Sequence, residues 1–174
     1  MKIAAFGAST SSTSINKQLA TYTSSLLTKT EVDVLDMRSY SAPLYSEDEE
    51  KIGFPESMKT LSAELKTYDG FILSLAEHNG SFAAAFKNTM DWLSRIDRNI
   101  FNDKPMLLMS TSPGARGGQT VLEFATSAFP RMGAKVMSSY AFSSFYDNFK
   151  DGKVVNADLN KEIENLVVQF ENAL

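Results

Sequence analysis

Along the chain, short apolar runs alternate with longer stretches in which apolar residues recur every three or four positions. The first run, Ile3, Ala4, Ala5 and Phe6, ends at Gly7, and a hydroxyl-rich stretch from Ser9 to Ser14 follows. Ile15, Leu19, Thr23, Leu26 and Leu27 then fall at helical spacing, so the pattern predicts a buried strand, a tight turn and a helix. Val32, Val34 and Leu35 predict a second strand ending near Asp36. The segment from Arg38 to Pro55 is polar, acidic and broken by two prolines, and it reads as an exposed loop. Its acidic run, Glu47 to Glu50, reads as a solvated surface feature. Met58, Leu61 and Leu65 make one face of a second helix.

Gly70 to Leu75 is a third strand, apolar throughout as a strand covered on both faces would be. The loop Ala76 to Ser81 leads to a helix from about Phe82 to Arg95, with Ala83, Phe86, Met90 and Leu93 on one face. Lys104 to Ser110 is a fourth strand, and the glycine-rich loop Thr111 to Gly118 follows it. Val121, Ala125, Ala128 and Met132 line a fourth helix, and Ala134 to Tyr140 predicts a fifth strand. After a polar loop at Asp151-Gly152, a last helix carries Ile163, Leu166, Val167 and Phe170. Such β–α units in succession predict an α/β fold, with a parallel sheet and helices on both faces. No repeat or linker interrupts the pattern, so residues 1–174 are expected to form a single domain. The loops after strands one, three and four leave the carboxyl edge of such a sheet, where ligands bind, and converge on one site.

Composition narrows the chemistry. Without cysteine, thiolate catalysis, disulfides and Cys-ligated metals are excluded, and His78 is the only histidine, so no multi-His metal site is expected. A net charge of −4 argues against nucleic acid as a partner. No apolar stretch approaches the ~18 residues of a membrane span. The first residues carry no basic region followed by a long apolar run, so a cytoplasmic protein is expected.

The first loop is the strongest chemical feature. Free amides at a helix N-terminus, its positive dipole end, together with several hydroxyls make a site for a phosphate-sized anion. Serines and threonines before a helix also act as plain N-caps; one cap needs one such residue, whereas Ser9, Thr10, Ser11, Ser12, Thr13 and Ser14 offer six. The nucleotide-hydrolase signature G-x-x-x-x-G-K-[ST] is absent, and so is G-x-G-x-x-G after the first strand. A serine hydrolase with Ser9 as nucleophile would need a histidine base, and His78, in mid-chain, is the only candidate. A phosphate-bearing planar cofactor fits better, its phosphate in the first loop and its ring between the other two.

At this level the sequence resembles the NADPH-dependent FMN reductase family of flavodoxin-like proteins, which also includes quinone, chromate and azo-dye reductases. That family carries G-S-x-R-x-x-S-x-N after its first strand, and Ala8 to Asn16 (ASTSSTSIN) matches its serines and asparagine. Ala76 to Ser81 (AEHNGS) and Phe86 to Trp92 (FKNTMDW) fall where the family carries P-x-Y-N-x-S and L-K-N-x-x-D-W. Ser112 to Gly118 (SPGARGG) reproduces S-P-G-x-x-G-G in full. Ser11 stands in place of the family arginine, and Ala76 and His78 replace its proline and tyrosine.

The resemblance implies a three-layer flavodoxin-like fold with a five-stranded parallel sheet in the order 2-1-3-4-5. It implies FMN as cofactor and NADPH or NADH as co-substrate, with electrons passing to a quinone, azo, metal-oxyanion or free-flavin acceptor. Ser9, Ser11, Ser14, Ile15 and Asn16 would hold the FMN phosphate; Glu77, His78, Asn79 and Gly80 would run along one ring edge. Ser112, Gly114, Ala115 and Gly117 would approach the ring from another side, where lack of a Cβ lets backbone come close. Arg116 is a candidate partner for a nicotinamide phosphate. Hydride transfer between stacked rings needs orientation rather than a protein base, so no catalytic side chain is expected. A single-electron carrier of the flavodoxin type is the alternative. The family is commonly dimeric or tetrameric, and the aromatic Trp92 and Phe101 lie near the same loops; Trp92, beside Met90 and Leu93, reads as helix packing or a subunit contact rather than part of a cofactor site.

Overall fold

The computed structural model describes all 174 residues. Its main sheet consists of β1 (Lys2–Ala8), β2 (Glu31–Leu35), β3 (Gly70–Leu75), β4 (Lys104–Thr111) and β5 (Ala134–Phe142). All neighbours are parallel, in the order β2-β1-β3-β4-β5. This is the flavodoxin order, and its crevice lies where β1 feeds neighbours on both sides. β3 is buried at every position, and β1 and β4 nearly so, because helices cover both faces. Alternate residues point to opposite layers. Ala4, Phe6, Phe71 and Leu73 pack under α3 (Glu56–Leu65), α4 (Ala84–Ile96) and α5 (Gln119–Ala128). Ile3, Ala5 and Ile72 pack under α1 (Ile15–Ser25) and α7 (Ala157–Ala173).

Within α1, Thr23 is fully buried and its hydroxyl has no hydrogen-bond partner. A buried hydroxyl that bonds to nothing costs stability, and valine has nearly the same shape and helix propensity. Thr23→Val is therefore expected to stabilise the fold by about 1 kcal/mol. A thermal melt should show a rise of about 2–4 °C; a fall would mean that the hydroxyl is satisfied.

Three segments differ from the sequence expectation. The polar loop around Asp151-Gly152 contains the short helix α6 (Phe145–Asn148) and a hairpin in which Phe149–Lys150 pairs with Lys153–Val154. Arg38 to Pro55 is not simply an exposed loop, because it contains α2 (Glu47–Ile52). Ser46 Oγ accepts the Glu49 N–H at 3.1 Å, and four acidic residues occupy the first turn, where the helix dipole favours them. The strap before α2 is pinned to α4. Trp92 Nε1 and Asn88 Nδ2 both donate to Pro43 O, at 2.8 and 3.0 Å, and Tyr45 N–H donates to Asn88 Oδ1 at 2.8 Å. Trp92 and Phe101 are 0% and 1% exposed, so both pack in the core, which for Trp92 is the helix-packing reading rather than the subunit-contact one.

The loop after β3 is also more ordered than expected. Glu77–His78 pairs antiparallel with Ser81–Phe82 in a small hairpin. Asn79 and Gly80 form its two-residue turn with φ of 52° and 76°, a conformation Asn-Gly adopts readily. No helix is long and apolar enough to cross a membrane.

Candidate functional site

The site begins where β1 turns into α1. An added Cβ on Gly7 would lie 2.3 Å from Lys17 N and 2.7 Å from Asn16 C, so only glycine lets the helix start against the strand end. Ser9 N–H donates to Gly7 O at 2.8 Å and closes the turn. The hydroxyls then organise the loop's own backbone. Ser9 Oγ accepts the Ser11 N–H, Ser11 Oγ accepts the Thr13 N–H, and Ser14 Oγ caps α1 by accepting the Lys17 N–H at 3.1 Å. The amides of Thr10, Ser12, Ile15 and Asn16 donate to no protein acceptor, and the first turn of α1 holds no acidic side chain. Unpaired N–H groups at the positive end of a helix, with hydroxyls around them, suit a phosphate group.

Asn16 has a second role that sequence reasoning missed. Its side chain is 3% exposed; Oδ1 accepts from Ser74 Oγ at 2.7 Å and from Thr111 N–H at 3.0 Å. Its Nδ2 donates to Thr111 O at 3.1 Å. The side chain thus braces the first loop against the ends of β3 and β4, and only its backbone amide is left for an anion.

The other two loops are tied together in a similar way. Glu77 Oε2 accepts the Val121 N–H at 3.0 Å, so this carboxylate caps α5, whose N-cap Gly118 has no side chain to do so. Gly117, with φ of 60°, packs against β5: an added Cβ would lie 2.7 Å from Phe142 O. Its missing Cβ therefore serves a close backbone contact with β5. Ser110 Oγ donates to Gly117 O at 2.8 Å, and Thr111 Oγ1 donates to Phe142 O at 2.7 Å. Gly114 O accepts from Gly117 N–H and Ser144 N–H.

The three loops enclose a cleft of about 230 Å³. Ser9, Ser11, Ser14, Ile15, Asn16, Glu77, His78 and Ser112 all line it, which brings together predicted residues from all three loops. Asn79 and Gly80 stand at the exposed hairpin tip, and Gly114, Ala115 and Gly117 lie along the far limb of the glycine loop, outside the cleft wall. Arg116 bonds to Thr120 Oγ1 at 3.0 Å and also stays outside. Thr13 of the hydroxyl-rich loop lines it too, as do Ala76, Thr111, Pro113 and Tyr146, of which only Tyr146 lies outside the loops singled out from the sequence. Tyr146 follows β5 on the same sheet edge, the one positional signal that pointed to it. A larger cleft of about 480 Å³ meets the first at Ser9 and runs between the β2 strap and α4, past Arg38, Tyr40 and Phe86.

No nucleophile–base pair is formed. Ser9 Oγ bonds to the Ser11 amide, and the His78 side chain has no hydrogen-bond partner.

Comparison with known proteins places this geometry in a class. The profile of the NADPH-dependent FMN reductase family matches residues 1–147. The chain belongs to that family, whose members are oxidoreductases that use FMN. An uncharacterised protein of Mycoplasma pneumoniae is 32% identical over 144 residues, covering 80% of this chain and 85% of that one. A quinone reductase of Escherichia coli is 35% identical over 77 residues, covering 44% of this chain and 41% of that protein. Among solved structures, the flavoenzyme NAD(P)H:(acceptor) oxidoreductase FerB of Paracoccus denitrificans has the same fold, with a TM-score of 0.83 at 22% identity. That similarity covers 99% of this chain and 96% of FerB.

Proposed function

We propose that this chain takes electrons from NADPH or NADH through FMN and delivers them to a small-molecule acceptor, with a quinone the favoured class. The observation that carries the reading is the set of unpaired amides and hydroxyls at the start of α1, opening into a cleft walled by the β3 and β4 loops. Ser9, Ser11 and Ser14 would hold the FMN phosphate with the Ile15 and Asn16 amides. Glu77, His78, Asn79 and Gly80 would border one ring edge, and Ser112, Gly114, Ala115 and Gly117 would border another. When bound, FMN supplies the hydride chemistry. The protein's contribution is orientation and a field of fixed dipoles. No side chain needs to remove a proton, and none in the cleft is paired to do so. The name of the E. coli relative supports a quinone as acceptor; an azo compound, metal oxyanion or free flavin are the other classes.

The electron-carrier reading is not favoured, since the family match is to reductases. The test is a visible spectrum of the protein with FMN, then with NADPH or NADH without oxygen. A perturbed flavin spectrum that bleaches in one two-electron step is expected, followed by recovery on adding a quinone. Reduction in two separate one-electron stages would return the carrier reading, and an unperturbed FMN spectrum would overturn the proposal.

A further inference from the structure

The phosphate loop, Ser9 to Ser14, contains no lysine or arginine. No lysine or arginine lines the smaller cleft, and its single carboxylate, on Glu77, is engaged by the Val121 amide. Two cations nevertheless flank the loop from outside. Lys17 lies in the first turn of α1, and its backbone N–H is the one that Ser14 caps. Arg38 follows β2 and lines the larger cleft with Ser9 and Thr10. Both side chains converge on Asp36. Lys17 Nζ lies 2.8 Å from its Oδ2, and Arg38 donates through Nε to Oδ1 at 3.0 Å and through Nη2 to Oδ2 at 2.5 Å. These hydrogen bonds, those from Arg38 foremost, hold the Asp36 carboxyl well below the usual carboxylate range, so it is ionised at neutral pH. Two cations against one carboxylate leave one net positive charge beside the loop.

We propose that Lys17 and Arg38, held together by Asp36, supply the positive charge that the phosphate loop itself lacks and so set the affinity for FMN. The inference rests on the FMN reading above. Asp36 has two opposed effects: it fixes the two cations in place and it cancels one of them. A charge acting through partly exposed groups shifts affinity modestly and is screened by salt.

The test is FMN titration of the flavin-free protein by flavin fluorescence, which needs no turnover. At about 0.01 M salt, where the Debye length is about 30 Å, Arg38→Gln and Lys17→Gln should each weaken FMN, up to about fivefold. Asp36→Asn should tighten it by a similar factor. At about 1 M salt, where the Debye length is about 3 Å, these differences should nearly vanish. Opposite signs are the diagnostic: a cluster that merely shapes the loop would weaken FMN in all three variants, and the loss would persist in salt. That result, or no change in any variant, overturns the inference while FMN binding by the parent protein stands. If the parent protein binds no FMN at either salt, the FMN reading fails, and this inference with it.

Discussion

Gly7→Ala is expected to abolish measurable FMN binding and to lower the melting temperature by about 5–10 °C. The argument is steric. A Cβ at this position would sit 2.3 Å from Lys17 N, and 2.7 Å from both Asn16 C and Lys17 Cα. All three are backbone atoms of the first turn of α1, so no side-chain rotation relieves the clash and the helix start must move. The turn that moves carries the unpaired Ile15 and Asn16 amides, the Ser14 cap and the Asn16 brace. Stability and anion binding should therefore fall together. Overpacking costs about 1–3 kcal/mol, and a clash with backbone that no side chain can relieve lies at the upper end, about 2–3 kcal/mol. Gly114→Ala is the contrasting variant, because its nearest neighbour would be Ser112 Oγ at 3.9 Å. Its melting temperature should stay within about 2 °C of the parent. A Gly7→Ala protein that melts normally and still binds FMN would show that the β1–α1 junction has slack that the packing does not reveal.

The same junction explains why much of the fold could be read from sequence. Strands buried on both faces appear as unbroken apolar runs, and helices reveal themselves by the spacing of Met58, Leu61 and Leu65 or of Phe86, Met90 and Leu93. Loops that follow strands one, three and four must leave the same edge of a parallel sheet, so the meeting of Ser9, His78 and Ser112 in one cleft was legible from order alone. α2 was not legible. It buries no residue, so it has no apolar periodicity; its signal was a cap at Ser46 and acids in the first turn, which also describe a solvated loop. The tasks of individual polar side chains were hidden for a different reason. Asn16 meets Ser74 and Thr111, Glu77 meets the Val121 amide, and Arg38 and Lys17 meet at Asp36. Most of these partners are distant in sequence, and only the sheet register brings them together. A motif shows that an asparagine stands at a given position; it cannot show whether the side chain or the backbone amide is the part that faces a ligand.

That distinction gives the second large effect. Asn16→Ala is expected to destabilise the flavin-free protein by about 2–3 kcal/mol, a fall of about 5–10 °C in melting temperature. The substitution leaves the Ser74 hydroxyl and the Thr111 amide and carbonyl without their partner. Ser74 and Thr111 are 0% and 1% exposed, so water does not replace the lost bonds without further rearrangement. An asparagine that acted only as a phosphate ligand would behave differently: the flavin-free melt would be unchanged and only FMN affinity would fall. Ser74→Ala should cost about 1 kcal/mol, because Asn16 keeps both of its bonds to Thr111. Residues that share one network are not additive. Once Asn16 is alanine, the Ser74 hydroxyl is already unpaired, so its removal should cost nothing further and should recover part of the loss. The double variant melting at or above Asn16→Ala would establish the brace as a unit. A double variant lower by the full cost of Ser74→Ala would mean that the two side chains act independently, and that Asn16 holds the first loop by its contacts with β4 alone.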